Sequence, residues 1–155
     1  MESSEKIEEK NKLKAFGLDL IGRRIRTAQQ SINDAQEAAN QEEKSSAGDK
    51  YETGRAMGHL QKDMFARQLE EHTREMATLH AVRTDTLYTA ATAGALLQCS
   101  DICLFLSAGL GKQVIDGKTV LFLSPGAPLA KQLKDKRKGD SFSFNGRQQL
   151  ILDIY

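Results

Sequence analysis

The chain has 155 residues, enough for one ordinary domain or for a helical rod carrying a small globule. Charged residues make up 28% and aromatics only 6%, with no tryptophan, a balance that suits solvent-exposed helices better than one large core. A formal net charge of +1 excludes polyanion binding by the charge of the whole molecule and leaves that role to a local patch. No apolar run follows Met1-Glu2-Ser3-Ser4-Glu5, and none approaches the length of a membrane span. A cytoplasmic location without membrane contact is therefore expected.

Residues 1–12 are highly charged and are expected to fray. Beyond them Leu18, Ile21, Ile25, Ala28, Ile32, Ala35 and Ala39 recur at steps of three and four. A second stripe runs through Met57, Leu60 and Met64, then Phe65, Leu69, His72, Met76 and Leu79. Two such stripes joined by a short polar turn predict an antiparallel coiled-coil hairpin over 1–83, with its tip at about 44–52. Leu13 to Ala39 alone spans about 40 Å as helix. The seam is bulky at Phe16, Leu18, Leu20, Ile21 and Ile25, then shrinks to Ala28, Ala35, Ala38 and Ala39. Gly54, Ala56 and Gly58 are expected to face the small end. An interior helix glycine costs about 1 kcal/mol against alanine, so the two glycines imply either close backbone approach or a loosely packed tip.

The tip reads Ser46-Ala47-Gly48-Asp49-Lys50-Tyr51-Glu52. Asp49 followed three residues later by Glu52 is a capping-box spacing, which explains the pair without any metal. Two carboxylates also hold Mg²⁺ weakly, since that ion takes about six oxygens and borrows the others from phosphates and from other proteins' carboxylates. Arg23, Arg24, Arg26, Lys50, Arg55 and Arg67 read as a solvated charged face that can also meet RNA or a protein.

From Thr84 the charge drops and small residues rise, so 84–93 is expected as a linker and 94–155 as a second domain. Ala95–Cys99 and Ile102–Ser107 read as a hairpin across Ser100-Asp101, and Thr119–Leu123 as a further strand after Asp116-Gly117. Gly109-Leu110-Gly111-Lys112 lacks the spacing of a phosphate loop and reads as a turn. Pro128 opens a helix that points Leu129, Ala130 and Leu133 at a sheet. Asn145-Gly146 joins Ser141–Phe144 to Gln149–Ile154, the strongest hairpin signal present. The expected fold class is thus α+β: a helical hairpin, then a small antiparallel sheet with one helix. Cys99 and Cys103 lack the partners of a zinc site and read as reduced strand cysteines, with a reversible disulfide across the turn left open. His59, His72 and His80 show no ligand spacing, and His72 falls on the seam.

Two runs carry a resemblance. Gly48-Asp49-Lys50-Tyr51-Glu52 resembles the tip of the bacterial Gre family of transcript-cleavage and elongation factors (GreA/GreB-like), where Gly-Asp-x-x-Glu joins two coiled-coil helices. Pro128-Leu129-Ala130-Lys131-Gln132-Leu133-Lys134-Asp135-Lys136-Arg137-Lys138-Gly139-Asp140 resembles, without a gap, a run in the C-terminal domain of the same family, which is FKBP-like. The resemblance implies an accessory factor, not a free-standing enzyme and with no small-molecule substrate. Its partner would be RNA polymerase, entered through the secondary channel, with the 3′ end of the nascent RNA met indirectly. It further implies that Asp49 and Glu52 help hold a catalytic Mg²⁺ of the polymerase during cleavage of backtracked transcripts, and that Pro128 belongs to the docking site. Thr53-Gly54-Arg55-Ala56 departs from the family's Asn-Ala-Glu-Tyr-like run, and Gly126-Ala127 replaces the usual Asp-Ser. Those departures leave open a channel-plugging regulator that does not cleave. An FKBP-like prolyl isomerase is a third reading, for which the aromatics Phe105, Phe122, Phe142, Phe144 and Tyr155 read as core instead of pocket.

Overall fold

In the computed structural model the backbone is described for residues 1–45 and 49–155, and side chains for 1–41, 54 and 56–155. Ser46-Ala47-Gly48, where the tip turn was placed, and the side chains of Asp49 and Glu52 lie outside the described residues. The chain is α+β. Helices α1 (Ser3–Ser45) and α2 (Asp49–Ala81) come first, followed by strands β1 (Leu96–Cys99), β2 (Cys103–Leu106), β3 (Gly111–Ile115) and β4 (Lys118–Leu123). A short helix α3 (Pro128–Leu133) precedes β5 (Ser141–Phe144) and β6 (Arg147–Ile154). Two compact units result: Asp19–Met76, and Met1–Leu18 together with Ala77–Tyr155.

The unit Asp19–Met76 is a helical pair. Gly58 sits against Ala39, where an added Cβ would lie 3.2 Å from the alanine Cβ, and Lys62 Nζ donates to Gln36 Oε1. Partner numbers rise in one helix as they fall in the other, so the pair is antiparallel. On α1 the buried residues Ile21, Ala28 and Ala35 recur every seven positions, as a coiled-coil seam requires. The close approach at Gly58 answers why an interior glycine is used there. It also fixes the rotation of α2, and here the expected stripe is corrected. Among the described residues of α2 in this unit, the half-buried positions are Gly54, Gly58, Lys62, Phe65, Leu69, His72, Glu75 and Met76. Met57, Leu60 and Met64 are 57%, 67% and 45% exposed. Met57 and Met64 each precede a seam residue and lie roughly 100° around the helix from it, because a shift of one residue turns an α-helix by about that angle, and Leu60 lies further round still.

The other unit is a six-stranded sheet with order β3-β4-β2-β1-β6-β5, covered on both faces. One face carries Leu96, Phe105 and Phe122, which are in register across β1, β2 and β4. The first turns of α1 and the end of α2 pack on it: Phe16 stacks on Phe122 at 6.2 Å. A Cβ on Gly17 would come within 2.7 Å of Leu79 Cδ2 and 3.1 Å of Leu110 Cδ1. The other face carries Leu97, Leu104 and Leu106, which join Ala130 and Leu133 of α3, Phe142 and Ile151 in one apolar cluster. With both faces covered, every residue of β2 is buried.

Four expectations change. Residues 1–12 are not frayed from the sheet: Lys6 pairs with Asp153 at 3.2 Å, Glu9 accepts from the Tyr155 hydroxyl, and Lys10 Nζ donates to Thr86 O at 2.8 Å. Their charges have partners on the strands, which composition alone does not show. The sheet is mixed instead of antiparallel, because β4 runs parallel to β2. Gly111-Lys112 opens a strand instead of lying in a turn. That strand, β3, pairs with β4 through Asp116-Gly117, whose φ of 51° and 77° give the left-handed turn that a two-residue hairpin needs. Asn145-Gly146, with φ of 52° and 77°, makes the same turn where it was expected. Residues 84–93, finally, are tied down: Ala91 N–H donates to Lys136 O, Asp135 N–H donates to Ala91 O, and Ala90 bridges Arg137.

Candidate functional site

Asp49 is the first residue of α2 and Glu52 closes its first turn. Only three residues separate Asp49 from the end of α1, so the acidic pair opens the second helix where the chain reverses. Acidic residues are favoured in a first helical turn by the partial positive charge of its free N–H groups. Among the described residues no three His, Cys, Asp or Glu side chains come together as a metal site.

Arg23 Nε lies 3.2 Å from Asp19 and Arg67 Nε donates to Asp63 O at 3.4 Å, both one helical turn away. His72 lies on the seam as expected, half-buried, with Nδ1 3.5 Å from Glu75 Oε2. Cys99 and Cys103 are both free and buried. Register pairs Cys103 with Gln98, not with Cys99. Burial pushes the Cys99 thiol up to about 11 and Cys103 to about 12, where neither is a thiolate near neutral pH. Phe105, Phe122, Phe142 and Tyr155 are core residues as expected, whereas Phe144 is half-buried and lines a surface cleft.

Pro128 occupies the first position of α3, after Ala127 with φ −65° and ψ 149°, and no side chain caps the helix. A proline there leaves no orphan N–H at that position. The helix forms one wall of a cleft of about 320 Å³ facing the 91–93 segment. Leu106 and Ala130 lie in its apolar floor, and Lys131 and Lys134 stand on its α3 side. Sequence reasoning treated these lysines only as part of a family-like run. The available signal was charge: between residues 125 and 138 there are five cations, Lys131, Lys134, Lys136, Arg137 and Lys138, against one acid, Asp135.

No family model matches the sequence, and no curated protein matches it. Among solved structures, that of the transcription factor Gfh1 is similar, at a TM-score of 0.38 and 12% identity, over 90% of this chain and 93% of that one.

Proposed function

We propose that the chain is a Gre-like accessory factor of bacterial RNA polymerase that works from the secondary channel and stimulates cleavage of backtracked transcripts. The observation that carries this is the start of α2 at Asp49: Asp49 and Glu52 fall in the first turn of the second helix of an antiparallel pair. Such a pair covers only part of the roughly six oxygens Mg²⁺ requires, so it fits an ion shared with another protein. Asp49 would hold that ion and Glu52 would orient the attacking water. Bound Mg²⁺ supplies charge neutralisation and an activated water at the phosphodiester. The FKBP-like part docks on the polymerase through the Pro128 region, and the nascent RNA 3′ end is met only inside the partner. This assigns the protein to the cytoplasm.

Purified polymerase should retain the protein in a pull-down. Asp49→Ala should then abolish transcript cleavage in a stalled elongation complex and leave polymerase binding within about twofold, because a residue acting only in the reaction contributes little to docking. Cleavage at the wild-type rate by that variant overturns the assignment. Thr53-Gly54-Arg55-Ala56 after the acidic pair favours a second reading, a channel-occupying inhibitor. In that case the wild-type protein slows elongation in the same assay and adds no cleavage.

A further inference from the structure

We infer that a second cleft of the sheet unit, of about 200 Å³, binds a small planar aromatic carboxylate. It lies at the start of β4, whereas α3 follows the end of that strand, and it shares no lining residue with the cleft beside α3. β3 and β5 are opposite edges of the sheet, yet Lys112 of β3 and Phe144 of β5 line this one cleft. The sheet is therefore curled here, with the β1–β2 turn at Asp101 and Ile102 completing the lining. Register shows why these side chains arrive together, because directly opposed residues point to the same face. Lys112 is opposite Leu121, and Phe144 is opposite Arg147, as Phe142 is opposite Gln149. Leu121, Phe142 and Phe144 all belong to the apolar cluster on one face of the sheet, so Lys112 and Arg147 stand at its border.

One wall is fixed by Gln149, which is 2% exposed. Its Oε1 accepts from Ser100 Oγ at 3.1 Å and from Asp101 N–H at 3.0 Å, and its Nε2 donates to Asp101 Oδ2 at 2.9 Å. A wall already ordered spares a ligand that cost. Phe144 is half-buried and, among the described residues, stacks on no other ring, which leaves it as a platform for a flat ligand. Charge sets the other end of the ligand. Asp101 is the only acid in the lining and lies 3.8 Å from Arg147 Nη1, so those two charges offset each other. Lys112 has no ion-pair partner among the described residues, and the Arg147 guanidinium has N–H groups beyond the one facing Asp101. A carboxylate takes charge-assisted hydrogen bonds from both while its ring lies on Phe144. Size excludes larger anions: a cavity of about 150 Å³ accepts one benzene ring, so this cleft holds a single ring with its carboxylate and is too small for a nucleotide.

Amide NMR of the full-length protein, titrated at low salt with benzoate, tests this, with acetate, benzylamine and uridine monophosphate as the other arms. Benzoate should shift the amides of Asp101, Ile102, Lys112, Thr119 and residues 144–149 saturably by about 10 mM, the millimolar range expected of so few atoms. Acetate lacks the ring and benzylamine the anion, so both should bind several-fold more weakly. Lys112→Gln, at an exposed position that leaves the fold intact, should weaken benzoate roughly tenfold. Phe144→Leu keeps the apolar bulk, loses the ring and should weaken it about fivefold. Lys136→Gln, outside the cleft, should change nothing, and the dispersion of each spectrum shows whether the variant is folded. The absence of saturable shifts with benzoate overturns the inference. So does acetate or uridine monophosphate binding as tightly as benzoate, or undiminished binding by Lys112→Gln.

Discussion

Lys10 is fully buried, its Nζ 4.7 Å from the Tyr88 ring centroid and 2.8 Å from the Thr86 carbonyl it donates to. Burial lowers its pKa from 10.5 to about 8, opposed by the nearby Asp85 carboxylate, which raises it. Between those two values the unfolded chain holds a proton that the folded chain has released. The linkage relation then makes stability rise with pH across this window, whereas below pH 8 both states are charged and the contribution is flat. Denaturant titrations of wild type and Lys10→Met should therefore diverge in favour of wild type as pH rises from about 8 to 10.5. A difference independent of pH in that range would contradict the lowered pKa. Comparison with the variant is needed because the raised thiols of Cys99 and Cys103 act with the opposite sign at high pH. Nothing in the sequence marks Lys10 among its charged neighbours, since its burial depends on Thr86 and Tyr88, far along the chain. The placement of Asp49 was better signalled, because the Asp-x-x-Glu spacing belongs at a helix start whatever its function.

Among the elements, α2 shows how two neighbouring stripes compete. Met57, Leu60 and Met64 make an apolar pattern of their own, yet Phe65, Leu69 and Met76 with Gly58 make the seam. The decision is steric: a Cβ at 58 would lie 3.2 Å from that of Ala39, a tighter approach than side chains ordinarily make. Phe65→Ala should cost roughly 2 kcal/mol, about half the value for a fully buried phenylalanine. Met64→Ala should stay within about 0.5 kcal/mol of wild type. Thermal melts of the two variants check the register, and equal losses would refute it. In the sheet, Asn145-Gly146 was legible because its turn demands positive φ at both residues and the flanking runs alternate. The parallel pairing of β2 with β4 was not, since a central strand buried on both faces has no alternation to reveal its neighbours. β3 was hidden for another reason: on this edge strand Gly111, Lys112 and Val114 are exposed, so it lacks an apolar signal.

Across the whole chain, the apolar face formed by Leu96, Phe105 and Phe122 is closed by residues from the first and second helices, Phe16 and Leu79 among them. A fragment of residues 94–155 therefore keeps all six strands but loses that cover. It should bind a hydrophobic dye and give a poorly dispersed amide NMR spectrum. Joining residues 1–18 and 77–155 through a short Gly/Ser linker should restore dispersion, and a well-dispersed spectrum from 94–155 alone would contradict the shared core.

That shared core also sets an order of events during synthesis. Met1–Leu18 leave the ribosome long before the strands they cover have been translated. The partners within Asp19–Met76 are close in sequence and can close early, whereas Phe16 must wait for Phe122, with the loop-closure cost that so long a separation brings. Until then the chain's first apolar turn stands open to water, and to whatever in the cell shields such surfaces on a growing polypeptide.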